Sequence, residues 1–180
     1  MKLDKQFKLH KACDQDKDGY RPSLKCVHYD GTTLVSIDGH IMAMVRPEAG
    51  SDEEGNIPMQ AFSEVTKGKK GDAVLTTQDG KVIFGDNGST QTMDLVDEPF
   101  PNWEQVLPTG IKEKPVMVLK FNVNLLKRLS EAMGSTNGEV TLYFGNSTLS
   151  DQDGTLTPTG PIPVEVDNTQ ADGILMPIRL

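Results

Sequence analysis

The chain has 180 residues, enough for one domain of ordinary size or two small ones. Hydrophobic residues make up 36% and charged residues 24%, a mixture that can build a core and excludes intrinsic disorder. The net charge of −8 excludes a protein that coats nucleic acid or a membrane with its whole surface, but not a local basic face.

The start, Met1-Lys2-Leu3-Asp4-Lys5, has no apolar run behind it and reads as lacking a secretion signal. Apolar stretches such as Val116-Met117-Val118-Leu119 are far too short to span a bilayer. Cys13 and Cys26 are too few for a disulfide scaffold and lack metal-ligand spacing, so both are expected as reduced core residues in a cytoplasmic protein.

Three segments repeat one order, a short helix pattern and then strands. A helix is expected over Asp4–Cys13, where Leu3, Phe7, His10 and Cys13 share one arc and Lys2, Lys5, Lys8 and Lys11 spread opposite. Strands follow around Ser23–Tyr29, Thr33–Ile37 and Ile41–Val45, then an acid-rich loop over Arg46–Asn56.

The second segment opens at Ile57-Pro58, with Pro58 in a first helical turn, Met59, Phe62 and Val65 on one face, and Gly68 as C-cap. Its strands are Ala73–Thr77, Lys81–Phe84 and Thr90–Val96. The third has a strand at Val116–Phe121 and a helix over Val123–Met133, with Asn122 as N-cap and Gly134 past its end. Leu125, Leu126, Leu129, Ala132 and Met133 form the expected buried stripe. Strands are expected over Glu139–Phe144, Thr148–Ser150, Ile162–Val166 and Gly173–Arg179, with Thr157–Pro163 a loop. Seven Asp-Gly or Asn-Gly pairs, Asp30-Gly31, Asp38-Gly39, Asp79-Gly80, Asn87-Gly88, Asn137-Gly138, Asp153-Gly154 and Asp172-Gly173, mark hairpin turns. The fold class is α+β, three helix-plus-antiparallel-sheet units.

Catalytic and metal motifs are poor. Asp14-Gln-Asp16-Lys-Asp18-Gly19 starts like a calcium loop, but Pro22 and Lys25 stand where later ligands belong, so a solvated turn is expected. His10, His28 and His40 have no partner at triad or metal spacing, and His10 reads as a satisfied core or rim residue. No phosphate loop, nucleophile elbow or carboxylate constellation appears, so no enzyme, cofactor or metal is expected. The basic residues are more informative. Of Lys2, Lys5, Lys8 and Lys11, then Lys67, Lys69 and Lys70, then Lys127 and Arg128, eight of the nine sit in or just beyond the three helices of an acidic chain, which suits phosphate-backbone contact without base readout. The apolar end, Ile174 to Leu180, suits a groove for a partner peptide.

Four stretches resemble the bacterial DNA polymerase sliding clamp, the beta subunit of the replicative polymerase. Ser36-Ile-Asp-Gly-His-Ile-Met-Ala43 is similar to that family's T-D-G-H-R-L-A hairpin. Leu95-Val-Asp-Glu-Pro-Phe-Pro-Asn-Trp-Glu-Gln-Val-Leu-Pro108 looks like its L-V-D-G-x-F-P-D-Y-x-x-V-L-P run. Phe121-Asn122-Val123 and Leu126 resemble the start of its last helix, and Met176-Pro-Ile-Arg-Leu180 its terminal M-P-M-R-L.

By this resemblance, residues 1–109 correspond to the clamp's middle domain, as half units 1–50 and 57–109. Residues 113–180 correspond to the second half of its last domain. The family's peptide pocket would use Leu24, Ile37, Gly39, His40, Met42, Pro101, Val106, Ile174, Met176, Pro177, Ile178, Arg179 and Leu180. Ile41 replaces a basic residue. The implied function is a clamp-like processivity factor that holds a DNA polymerase or other replication protein by a short motif. It would face double-stranded DNA, without sequence preference, through the nine basic residues, and form a homo-oligomer away from membranes. Three half units are an odd number, so one would pair with its copy in another chain, four chains matching the usual twelve half units, or no ring closes. The alternative is a monomeric peptide-binding module or decoy that does not encircle DNA.

Overall fold

The computed structural model describes residues 1–16, 21–48, 50, 52–67, 71–86, 89–107, 117–135, 137–145, 149–152, 154–166 and 173–178. They form two compact units, Met1–Trp103 and Glu104–Leu180. The boundary expected at 109–113 lies outside the described residues.

The first unit contains strands β1 (Lys2–Asp4), β2 (Cys26–Tyr29), β3 (Leu34–Ile37), β4 (Met42–Val45), β5 (Gly55–Pro58), β6 (Asp72–Gln78), β7 (Lys81–Asp86) and β8 (Ser89–Asp94), with helix α1 over Met59–Val65. They make two four-stranded antiparallel sheets, ordered β4-β3-β2-β5 and β1-β6-β7-β8. Residues 1–48 and 55–96 are therefore two halves that exchange strands. β1 of the first half pairs with β6, placing Leu3 opposite Ala73, while β5 of the second half pairs with β2, placing Ile57 opposite Val27. Each exchanged strand also bridges back to the end of its own half, Lys2 to Glu48 and Asn56 to Val96.

This exchange builds one core from both halves. Leu3, Leu9, Cys13, Val27, Tyr29 and Leu34 pack with Ile57, Ala61, Phe62, Val65, Leu75, Val82 and Phe84. Strict alternation in β6 turns Ala73, Leu75 and Thr77 inward and leaves Asp72, Val74, Thr76 and Gln78 outside. At its end Asp79 and Gly80 both take positive φ, 52° and 70°, the turn whose twist matches a two-residue hairpin.

The helix expected over Asp4–Cys13 does not form; β1 and a 3-10 turn over Leu9–Ala12 replace it. Asp4 Oδ1 accepts the Gln6 amide at 2.8 Å, and the Lys5 amide goes to the Gly71 carbonyl, so local bonds compete with a helical start. Leu3 instead enters the sheet, and Phe7, assigned to the buried stripe, is exposed. Three shorter corrections apply to the same unit. Residues Pro22–Lys25 turn as a 3-10 helix before β2, the loop expected to Asn56 yields to β5 at Gly55, and Pro58 caps α1 from outside it. Gly68, the expected C-cap, lies outside the described residues.

The second unit contains helix α2 (Val123–Ala132) and strands β9 (Thr141–Leu142), β10 (Leu149–Gln152), β11 (Thr155–Pro158), β12 (Ile162–Glu165) and β13 (Gly173–Leu175). β10 and β11 form a hairpin, and the remaining strands an antiparallel sheet ordered β13-β12-β9. Asn122 caps α2 as expected, its side chain accepting the Asn124 amide at 2.9 Å, and Gly134 follows with a positive φ of 79°. The strand expected at Val116–Phe121 is reduced to a bridge from Met117 to Leu156, and the Thr157–Pro163 loop is largely taken up by β11 and β12. Gly173 opens β13, at the start of the strand expected over Gly173–Arg179, and its missing side chain makes room for Met133. The expected stripe on α2 is also shifted. Ser130 and Met133 are buried, Leu126 and Leu129 half-buried, and Leu125 and Ala132 exposed.

Among the described residues the second core cluster buries Ile162, Val164 and Leu175, ringed by half-buried Phe121, Leu126, Leu129, Val140, Leu142 and Phe144. Each fully buried side chain contributes about 1.5–3 kcal/mol. The first unit, with Phe62 fully buried at its centre, is the better packed. Phe62→Ala is expected to destabilise that unit by about 3–5 kcal/mol, measured by urea unfolding of the whole chain.

Candidate functional site: two surfaces

The first surface is the hairpin between β3 and β4. Asp38 Oδ1 accepts the amides of His40 and Ile41, each at 2.8 Å, and Gly39 takes φ +95° with open space where a side chain would lie. Those two amide bonds hold the Asp38 carboxyl below the usual range and stiffen the turn. In and beside the turn, Ile37 and Met42 are half-buried, whereas Gly39 and His40 are exposed; Leu24, in the 3-10 turn before β2, is half-buried.

The Leu95–Pro101 stretch is fastened to the β2–β5 sheet by two residues to which sequence patterns assign no role. Asn56 Nδ2 donates to the carbonyls of Val96 at 3.0 Å and Glu98 at 2.6 Å, while its Oδ1 lies 2.9 Å from His28 Nδ1. His28 also stacks on Phe100, rings 4.6 Å apart and 10° from parallel. Pro101, half-buried, follows directly. The signal for Asn56 is weak, since nothing local distinguishes it from a loop residue.

The second surface lies in the second unit. Leu125, Arg128, Leu129 and Ala132 of α2 face Ile174, Leu175 and Met176 across a groove of about 430 Å³. Ile174 and Met176 are 65% and 60% exposed, and Leu175 between them is buried, as strand alternation requires. Beyond β13 the chain stays extended, with the Ile178 amide donating to the Lys120 carbonyl at 2.9 Å; Pro177 is half-buried. Val106, in the 3-10 turn Trp103–Val106, is exposed. Arg179 and Leu180 lie outside the described residues. Arg128, grouped with the basic residues from sequence, therefore belongs to the groove rim.

The basic positions divide. Lys127 and Arg128 stand on α2, with Lys127 3.9 Å from Glu131. Lys67 follows α1 and pairs with Glu64. Lys69 and Lys70 lie outside the described residues. Lys2, Lys5 and Lys8 are not in a helix, and Lys11 stands in the 3-10 turn Leu9–Ala12. Lys2 binds Asp72 at 3.0 Å and Glu48 at 3.7 Å, which raises its pKa, Asp72 foremost, and Lys8 donates to the Thr66 carbonyl.

Comparison with solved structures decides what frame carries these surfaces. No protein-family model and no curated protein matches the chain. The DNA polymerase III beta subunit of Borrelia burgdorferi, solved with a natural product, superposes at TM-score 0.63 and 15% identity, covering 97% of this chain and 48% of its own. The fold is that of a bacterial sliding clamp. The Bacillus subtilis sliding clamp gives TM-score 0.60 at 14% identity, covering 98% of this chain and 48% of that one. The Bartonella birtlesii clamp, solved with griselimycin bound, gives 0.59 at 20% identity, covering 100% and 66%. The chain thus spans about half the length of the Borrelia and Bacillus clamps.

Within this clamp fold neither cysteine is a reactive group. Cys13 and Cys26 are buried and free, and burial pushes both thiols up to about 12. Among the described residues no three His, Cys, Asp or Glu side chains gather as a metal site, and no helix is long and apolar enough to cross a membrane. Of the Asp14–Gly19 motif, Asp14 accepts the Asp16 amide at 2.9 Å as in a local turn; residues 17–20 lie outside the described residues.

His10 departs from expectation. Its Nδ1 is buried with no hydrogen-bond partner among the described residues, and burial, then the charges of Lys8 and Lys11, lowers its pKa. A neutral imidazole in the fold contributes its full stability above the ordinary value of about 6.5. That stability is lost as the pH falls below this value, because the unfolded chain binds the proton first. Thermal melting followed from neutral to mildly acidic pH is expected to show a falling midpoint, and His10→Leu to flatten that slope.

Proposed function

We propose that this chain is a non-enzymatic clamp-like tether that holds a replication protein, a DNA polymerase foremost, by a short motif with apolar side chains. The observation that carries this reading is the α2–β13 groove. It is apolar, rimmed by one arginine, and built in part by Ile174 and Met176, two residues of the apolar C-terminal stretch. Such a groove admits a Leu or Phe side chain of an extended peptide, and Arg128 supplies a polar anchor. Leu24, Ile37, Gly39, His40, Met42 and Pro101 on the first unit, and Val106, Pro177, Ile178, Arg179 and Leu180 on the second, are assigned to the same recognition by the resemblance alone. The Bartonella clamp's bound griselimycin supports ligand capture on this fold. Two buried thiols suit a reducing cytoplasm.

The clamp reading also assigns duplex DNA, contacted through its phosphates, to the basic positions, Lys67, Lys127 and Arg128 first among them. A sliding contact needs only weak charge attraction, so the overall acidity is no obstacle. The ion pairing of Lys2 and the absent first helix favour a second reading, a peptide-binding module or decoy with no DNA function.

Binding of a fluorescent peptide carrying a clamp-binding motif tests the groove. Met176→Glu is expected to weaken it by about tenfold or more, and unchanged affinity refutes the assignment. DNA association is expected to fall steeply with salt and to vanish when Lys67, Lys127 and Arg128 are all replaced by Glu. Peptide binding without any DNA association selects the second reading.

A further inference from the structure

The two halves of the first unit define a rule that the second unit half-fulfils. In each of those halves the strand before the helix, or before the 3-10 turns that stand in its place in the first half, bridges to the end of its own half and pairs with the first strand after the corresponding segment of the other half. In the second unit the first condition holds: the Ile178 amide donates to the Lys120 carbonyl at 2.9 Å, tying the segment before α2 to the chain beyond β13. The second condition is unmet. β9, the first strand after α2, pairs with β12 alone among the described residues.

Burial shows the consequence. The inward residues of β6, Ala73, Leu75 and Thr77, are fully buried, whereas those along β9, Val140, Leu142 and Phe144, are half-buried. Counting from the N-caps Pro58 and Asn122, Val123 matches Met59. Met59 is half-buried against the core, its sulfur 4.0 Å from Gln15 of the other half, but Val123 is 67% exposed. Phe121, matching fully buried Ile57, is half-buried.

We propose that the second unit pairs with the second unit of another copy of this chain about a twofold axis. Each copy lays its 119–121 segment along the open β9 edge of the other and sets Val123 against its partner. A second copy fits because this one half carries both the strand to be given and the edge to receive it, which is the self-complementarity an isologous dimer needs. Neither the 119–121 segment, nor β9, nor Val123 lines the α2–β13 groove. The pairing rests on the clamp fold and not on the groove reading.

Sedimentation equilibrium of the full chain at micromolar concentration is expected to give an even-numbered assembly built of dimers. Val123→Asp is expected to weaken that association about tenfold or more. An acid at the first helical position favours α2, so this variant keeps its fold, checked by circular dichroism. The Tyr143 amide bonds to Pro163, so by alternation Leu142 and Phe144 point theirs at the open edge. Hydrogen exchange at these two amides is expected to be slow in the assembly and fast in Val123→Asp. A strict monomer overturns the proposal and leaves the face to a half unit from a different chain. So does an oligomer that Val123→Asp leaves intact. Peptide binding by Val123→Asp is expected to be unchanged, which separates this outcome from failure of the groove.

Discussion

Strand exchange between the two halves of the first unit is the constraint on which the rest depends. A three-stranded sheet with one helix leaves the inner face of its helix-proximal strand uncovered and one edge unpaired. Giving each sheet a fourth strand from the other half covers the edges of β2 and β6 and merges two shallow cores into one. Neither half is complete alone, because Ile57 is buried only beside β2 and Leu3 only beside β6.

The same constraint explains the contrast between the units. The second has the helix, the cap and the three-stranded sheet of a half, but few fully buried side chains among the described residues. Ordering each residue costs about 1–2 kcal/mol in backbone entropy, so a single half is close to the margin unless something covers it. Its exposed apolar residues fall on two sides of α2. Leu125, Ile174 and Met176 line a concave groove, while Val123, exposed at the start of α2, is not among the residues that line it. The groove invites a side chain.

Electrostatics refine the function more than they support the fold. The lysines expected to form a lining on the first helix are dispersed over a strand and a short turn, and some of their charge is answered within the chain by Asp72 and Glu48. The cations that do stand on or next to an α-helix, Lys67, Lys127 and Arg128, lie near carboxylates or the groove. The anchor of Asn56, His28 and Phe100, by hydrogen bonds and ring stacking, positions a loop.

Local chemistry was legible in the sequence. Asn122 as a cap, the Asp38-Gly39 and Asp79-Gly80 turns, the alternation of β6 and the buried thiols depend on neighbours a few residues away, and the residues of Met176–Leu180 carry a resemblance that the fold matches. Periodicity names an apolar face but not the surface that covers it. For that reason Leu125 was placed in the core and is exposed, and Leu3, Phe7 and His10 imitated a helix that Asp4 and the pull of β6 prevent. Which strand pairs with which, and so that two halves must trade strands, is a contact between residues about seventy apart, settled only by the packing of the whole unit.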